Sequence, residues 1–276
     1  MPAMADPEVL LADRVFGESA RWHHDRLWFA DWATNEIIAV GLDGKSEVVT
    51  EIPGGFPICF DWLPDGPLLV VAGRAARLLR REPDGALVTH ADLSGVATTW
   101  NEIVVDGRGN AYVNGASSDF ERGEFPPGII ALVTPDRTVR QVADGILFGN
   151  GMAVTPDNAT LIVAESHGRR LTAFDIAPDG GLSGRRVWAD LGEAPPDGIC
   201  LDADGSVWYA DVPHKCCVRV REGGEVLATL EHDRACYSCV LGGPDNRTLF
   251  AVAAKYRGMQ DLPGPGRTGQ VIAWHL

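Results

Sequence analysis

Four oxygen-bearing side chains, Glu18, Asn101, Asn150 and Asp197, occur at one recurring step of the sequence, each at the start of an apolar run. Two carboxylates and two carboxamides make a hard-oxygen donor set of the kind a divalent cation such as Ca²⁺ or Mg²⁺ accepts. The carboxylates would balance a 2+ charge, and the Asn oxygens would add neutral ligation. Without a cation, Glu18 and Asp197 brought close together would be like charges in a confined space, and one would have to take up a proton. Each residue taken singly suits a turn before a strand. Their recurrence at equivalent positions points instead to convergence on one axis.

The elements that would position them repeat along the chain. The pattern is an apolar triplet, a D-x-x-G or P-D-x turn and a second apolar run. It reads ESARWHHDRLWFAD from 18, ICFDWLPDGPLLVVAG from 58 and NEIVVDGRGNAYVNG from 101. It returns as NGMAVTPDNATLIVAES from 150, DGICLDADGSVWYADV from 197 and SCVLGGPDNRTLFAVAA from 238. A third strand follows, as in EIIAVGLDG or GIIALVTPD, and in several units a fourth, as in SEVVTE or TVRQVADG. Four short antiparallel strands per unit of about 40–50 residues is the signature of a propeller blade. The sequence therefore predicts an all-β, six-bladed β-propeller forming a single domain over residues 1–276. An open ring would expose strand edges, so the spare N-terminal strand EVLLADRVF is expected to close the last blade beside GQVIAWHL.

Composition narrows the partners. With 32 Gly and 18 Pro among 276 residues, the chain favours many turns and short strands over long helices. A net charge of −14 argues against a nucleic-acid partner, which needs clustered Lys and Arg. There is no apolar run of roughly 18 residues and no basic, apolar leader at the N-terminus, so a cytoplasmic protein with no membrane partner is expected. A monomer or weak homo-oligomer acting on a small molecule fits these limits. The six cysteines include one C-x-x-C, at 236–239, with no second to complete a zinc set. They are read as buried thiols.

The motifs GESARW (17–22), NGMAVTPDNATLIVAES (150–166), PDGICLDADGSVWYAD (196–211) and CVLGGPDNRTLF (239–250) resemble those of the SMP-30/gluconolactonase/regucalcin-like family. The resemblance spans essentially the whole chain and implies a six-bladed propeller. By it, Glu18, Asn150 and Asp197 match metal ligands, and Asn101 matches a substrate-side Asn that is itself a ligand in some members. Members commonly hydrolyse lactones with Ca²⁺, Zn²⁺, Mn²⁺ or Mg²⁺. The resemblance thus implies a metal-dependent lactonase, with Ca²⁺ the first expectation, Asp197 as general base and Asn101 as its catalytic partner. The chemistry is sound: a cation polarises the carbonyl and stabilises the oxyanion, while a nearby carboxylate takes the proton from water. No G-x-S-x-G motif offers a serine nucleophile instead.

The sequence departs from the sugar-lactone pattern R-x-N-D, where it reads Thr99-Trp100-Asn101-Glu102. Thr cannot replace the fork of an Arg on sugar hydroxyls or a carboxylate. Phe56, Trp100, Phe120, Phe148 and Tyr237 lie near the starts of first strands or in loops after second strands, where they would line the pocket with Thr99. Together they predict a substrate less polar than a sugar lactone. His167 and His214, in loops after second strands, are expected on the same side. So is the 116–128 loop, long enough for a lid that carries Asp119 and Glu121. Two other readings keep the same residues: a metal-dependent cyclase or isomerase, and a non-enzymatic Ca²⁺- or ligand-binding propeller.

Overall fold

A computed structural model of the chain describes residues 7–117, 126–256 and 266–276. Among the described residues every regular element is a strand, and no helix is long and apolar enough to cross a membrane. The chain opens with β1 (Glu8–Arg14). The first sheet is built from β2 (Gly17–His23), β3 (Arg26–Asp31), β4 (Glu36–Val40) and β5 (Ser46–Glu51). The second holds β6 (Ile58–Trp62), β7 (Leu68–Ala72), β8 (Arg77–Arg81) and β9 (Leu87–Asp92). The third holds β10 (Thr99–Val105), β11 (Ala111–Ala116), β12 (Gly128–Val133) and β13 (Val139–Ile146). The fourth comprises β14 (Gly149–Val154), β15 (Thr160–Glu165), β16 (Arg170–Ile176) and β17 (Leu182–Asp190). The fifth comprises β18 (Pro196–Leu201), β19 (Val207–Asp211), β20 (Cys216–Val220) and β21 (Val226–Glu231). Three strands remain: β22 (Ala235–Gly242), β23 (Thr248–Ala254) and β24 (Gly269–His275).

These three form the sixth sheet with β1, in the order β1-β24-β23-β22. The N-terminal strand thus supplies the outer strand of the last sheet, as expected. Glu8 pairs with Ala273 and Arg14 with Gly269. Six four-stranded antiparallel sheets in this order are the blades of a six-bladed β-propeller.

The strands form where the sequence patterning places them. Second strands are continuous apolar runs buried on both faces, such as LLVVA in β7 and TLFAVAA in β23. Fourth strands alternate, with β5 (SEVVTE) and β21 (VLATLE) partly exposed. The hairpin turns between first and second strands end on residues that tolerate a left-handed backbone, among them Gly66, Gly109, Asn158, Gly205 and Asn246.

The described residues fall into two compact units, Met1–Glu51 with Asp197–Leu276, and Ile52–Pro196. In the first unit, one apolar cluster joins Phe29 and Ile38 to Phe250 and Val271, tying the first sheet to the sixth. Another joins Trp208 and Cys217 to Leu249 and Trp274, tying the fifth to the sixth. All six cysteines are free thiols and five are buried, in keeping with the expectation. In the second unit, Cys59, Leu78, Trp100, Ile103 and Val133 fill the space between the second and third sheets. Tyr112, Met152, Val163 and Phe174 do the same between the third and fourth.

Candidate active site

The first unit carries the two candidate carboxylates. Glu18 lies on β2 and Asp197 on β18, both buried. Both belong to first strands that flank β22. Ala20 N donates to Ser238 Oγ at 3.0 Å, joining β2 to β22. A Cβ added at Gly198, the residue after Asp197, would lie 2.5 Å from that same Oγ, so only glycine lets β18 come this close. Tyr237, the neighbour of Ser238, is buried with its ring 4.4 Å from that of Phe16 at an interplanar angle of 61°. Among the described residues its hydroxyl has no hydrogen-bond partner. Burial, and then the charges of Glu18 and Asp197, push this phenol well above its ordinary range. The charges of both carboxylates thus act on one buried phenol, whose ring packs with Phe16, Trp32 and Val212.

The second unit carries the carboxamides. Asn101 donates from Nδ2 to Gly149 O at 3.1 Å, and Asn150 from Nδ2 to Ser166 Oγ at 3.4 Å. Ser166 donates onward to Pro196 O at 2.7 Å. Each bond occupies the nitrogen end of an amide and so fixes which end is the oxygen. Sequence reasoning passed over a third amide, Asn114 of β11, which donates from Nδ2 to Asn150 O at 2.6 Å. Its buried Oδ1 has no hydrogen-bond partner among the described residues. A Cβ at Gly149 would sit 3.2 Å from Asn114 Cγ, so the glycine beside Asn150 makes room for this amide. Asn114 and Ser166 sit in the quoted repeats YVNG and AES, but nothing in their spacing marks them, because their role depends on a cross-strand neighbour.

A local irregularity aims these side chains. Asn101 is the extra residue of a bulge between the pairs Trp100↔Gly115 and Glu102↔Asn114. Similar slips occur between Gly149 and Met152, around Asn150, and between Glu18 and Arg21, just after Glu18. Tyr237 is the extra residue between Cys236 and Ser238. A bulge leaves a residue out of the ladder and re-aims its side chain. Ile58, by contrast, begins a ladder with no slip.

The aromatic expectations divide. Phe148 is half-buried and stacks on His167 at 4.7 Å with an 18° interplanar angle, so the loop after β15 does return to the start of β14. Burial lowers the His167 pKa from its ordinary value. Phe56 is half-buried, with the Arg74 guanidinium 5.2 Å over its ring. Thr99 is buried at the start of β10. Trp100 corrects the expectation of a pocket wall: it is wholly buried in the core between the second and third sheets. The bulge at Asn101 sends the Trp100 ring inward while the amide stays half-exposed. His214 is held by Asp211, with Nδ1 2.9 Å from Oδ2. Phe120, Asp119, Glu121 and the centre of the 116–128 loop lie outside the described residues.

No three His, Cys, Asp or Glu side chains among the described residues group together to hold a metal. The candidate donors are the carboxylates Glu18 and Asp197 in the first unit and the tied-down amides of Asn101 and Asn150 in the second. In each unit these candidate donors are oxygens, the chemistry a hard cation takes rather than that of a thiolate or imidazole site.

Residues 16–255 match the SMP-30/Gluconolactonase/LRE-like region family. The chain belongs to that family. Among its relatives is pentonolactonase XacC of Haloferax volcanii, 27% identical over 251 residues that cover 86% of this chain and 81% of that one. The fold matches a luciferin-regenerating enzyme with a TM-score of 0.82 at 18% identity, over 98% of this chain and 95% of that one. It also matches a calcium-binding protein, regucalcin, from Agrobacterium tumefaciens, with a TM-score of 0.79 at 20% identity over 98% and 93% of the two chains. The family membership of this chain supports a lactonase-type function.

Proposed function

We propose that this protein is a metal-dependent lactonase. The observation that carries the reading is the buried group of Glu18, Asp197 and Tyr237 in a chain whose family includes a pentonolactonase. Glu18, Asn150 and Asp197 would hold the cation, and Ca²⁺ is the ion proposed. When bound, such an ion supplies positive charge to the lactone carbonyl oxygen as it becomes an oxyanion.

The remaining steps belong to the chain. Asp197 takes the proton from the attacking water. Asn101, whose amide is fixed by Gly149 O, orients the substrate. The half-buried rings of Phe148 and Phe56, with Thr99 in place of a guanidinium, favour a substrate with more apolar surface than a sugar lactone.

Elemental analysis of the purified protein, with Glu18→Gln beside it, tests the cation. One divalent ion per chain in the wild type and none in the variant is expected. A panel of lactones read by product mass tests the reaction, since hydrolysis adds one water and isomerisation adds nothing. Turnover with unchanged mass would overturn the hydrolytic reading.

A further inference from the structure

The first and fourth sheets enter their first strands on the same pair of residues, Phe16-Gly17 before Glu18 and Phe148-Gly149 before Asn150. They also hold them in the same way. Gly17 pairs with Asp31, the last residue of β3, and Gly149 pairs with Glu165, the last residue of β15. Asp31 and Glu165 are both buried, at 1% and 0% exposure. Asp31 accepts Val15 N at 3.1 Å on one oxygen and Phe16 N at 3.3 Å on the other. Glu165 accepts Leu147 N at 2.7 Å. In return Trp32 N donates to Phe16 O at 2.9 Å and Ser166 N to Phe148 O at 3.0 Å. The backbone two to three residues before Glu18, and before Asn150, is thus held from both sides.

The fifth sheet follows the same rule in composition: β19 ends in buried Asp211. Pro195 and Pro196 precede Asp197 there and offer no N–H, and Asp211 accepts His214 N at 3.2 Å instead. The second strands of the other three sheets end in Ala72, Ala116 and Ala254. A buried acid therefore closes the second strand in the three sheets proposed to supply Glu18, Asn150 and Asp197, and in no other.

We infer that Asp31 and Glu165 are positioning residues, which set the backbone from which Glu18 and Asn150 reach a cation. This rests on the functional reading above. A carboxylate is needed because each oxygen of Asp31 faces a backbone N–H, and an amide would turn an NH₂ group toward one of them. Partners one step behind metal ligands typically change metal affinity by about 10–100-fold when replaced.

The test is calorimetric titration of the metal-free full-length protein with Ca²⁺ alone, with thermal unfolding of the same metal-free samples. The variants are Asp31→Asn, Asp31→Glu, Glu165→Gln and the direct-ligand variant Glu18→Gln. Wild type should bind one Ca²⁺, and Glu18→Gln none. Asp31→Asn and Glu165→Gln should bind about tenfold or more weakly, with lactone turnover recovering at saturating Ca²⁺. Asp31→Glu, which keeps both acceptor oxygens, should lie between wild type and Asp31→Asn and serves if the Asn variant does not fold. Wild-type affinity in both Asp31→Asn and Glu165→Gln would overturn the inference alone. Absence of Ca²⁺ binding in the wild type would overturn the functional reading and the inference with it.

Discussion

The second and fourth sheets begin alike in sequence position and differently in structure. In β6 the ladder runs without interruption from Ile58↔Ala72 to Trp62↔Leu68. In β14 it slips between Gly149↔Glu165 and Met152↔Val163, and Asn150 sits in the slip. A regular strand seats an apolar residue at its start and buries Ile58 completely. A bulged one frees a polar residue from the alternation and leaves Asn150 half-buried, with its nitrogen bonded to Ser166. Among the first strands whose ladders are described, the slipped ones, β2, β10, β14 and β22, each carry a candidate residue at or beside the slip, while β6 runs regularly and starts on core.

The strongest way to sharpen this comparison is to remove the proposed base while leaving every strand intact. Asp197→Asn should lower lactone turnover by about 10²–10⁴-fold, with an unchanged circular dichroism spectrum and midpoint of unfolding. Wild-type turnover would assign the base elsewhere. A second test imposes polarity on the regular strand. Ile58→Asn buries an amide where no bulge aims it, and should cost about 2–4 kcal/mol in denaturant unfolding. It should leave Ca²⁺ affinity unchanged, and a gain in affinity would break the contrast.

Removing the bulged donor is the smaller converse. Asn150→Ala should weaken Ca²⁺ binding by about tenfold, read by calorimetry, since one neutral ligand is lost. The smallest effect is on acid stability. Burial would raise the Glu165 carboxyl, but hydrogen bonds from Arg170, Thr172 and Leu147 N outweigh it and hold the pKa below the usual range. A depressed folded pKa gives stability that is present above the unfolded value of about 4.3 and is lost as pH falls through the folded value. Glu165→Gln should flatten that part of a pH–stability profile, and an identical slope below about pH 4.3 would contradict the assignment.

Much of the fold was legible because it rests on local chemistry. The D-x-x-G and P-D-x turns, the apolar second strands and the spare strand Glu8–Arg14 all appear where the patterning put them. The candidate site was legible in part. Glu18, Asn101, Asn150 and Asp197 break the apolar pattern visibly, whereas Asn114 and Ser166 look like ordinary strand-end polar residues until a neighbouring strand is set beside them. The Trp100 ring lies in the core and not in the expected pocket wall for the same reason: one residue of bulge reverses the face on which it lies. The acids Asp31, Glu165 and Asp211 were in plain view in AD, AE and AD at the ends of second strands. Their meaning came only with the backbone N–H groups they accept.

The sequence by itself determined the strands, their grouping in fours, the closure by the N-terminal strand and the family, because turn residues and apolar runs act over a few residues at a time. Tertiary structure decided which polar side chains are aimed and which aromatic rings are core. Those outcomes depend on cross-strand register, and a one-residue slip, invisible in composition, sends a side chain to the opposite face.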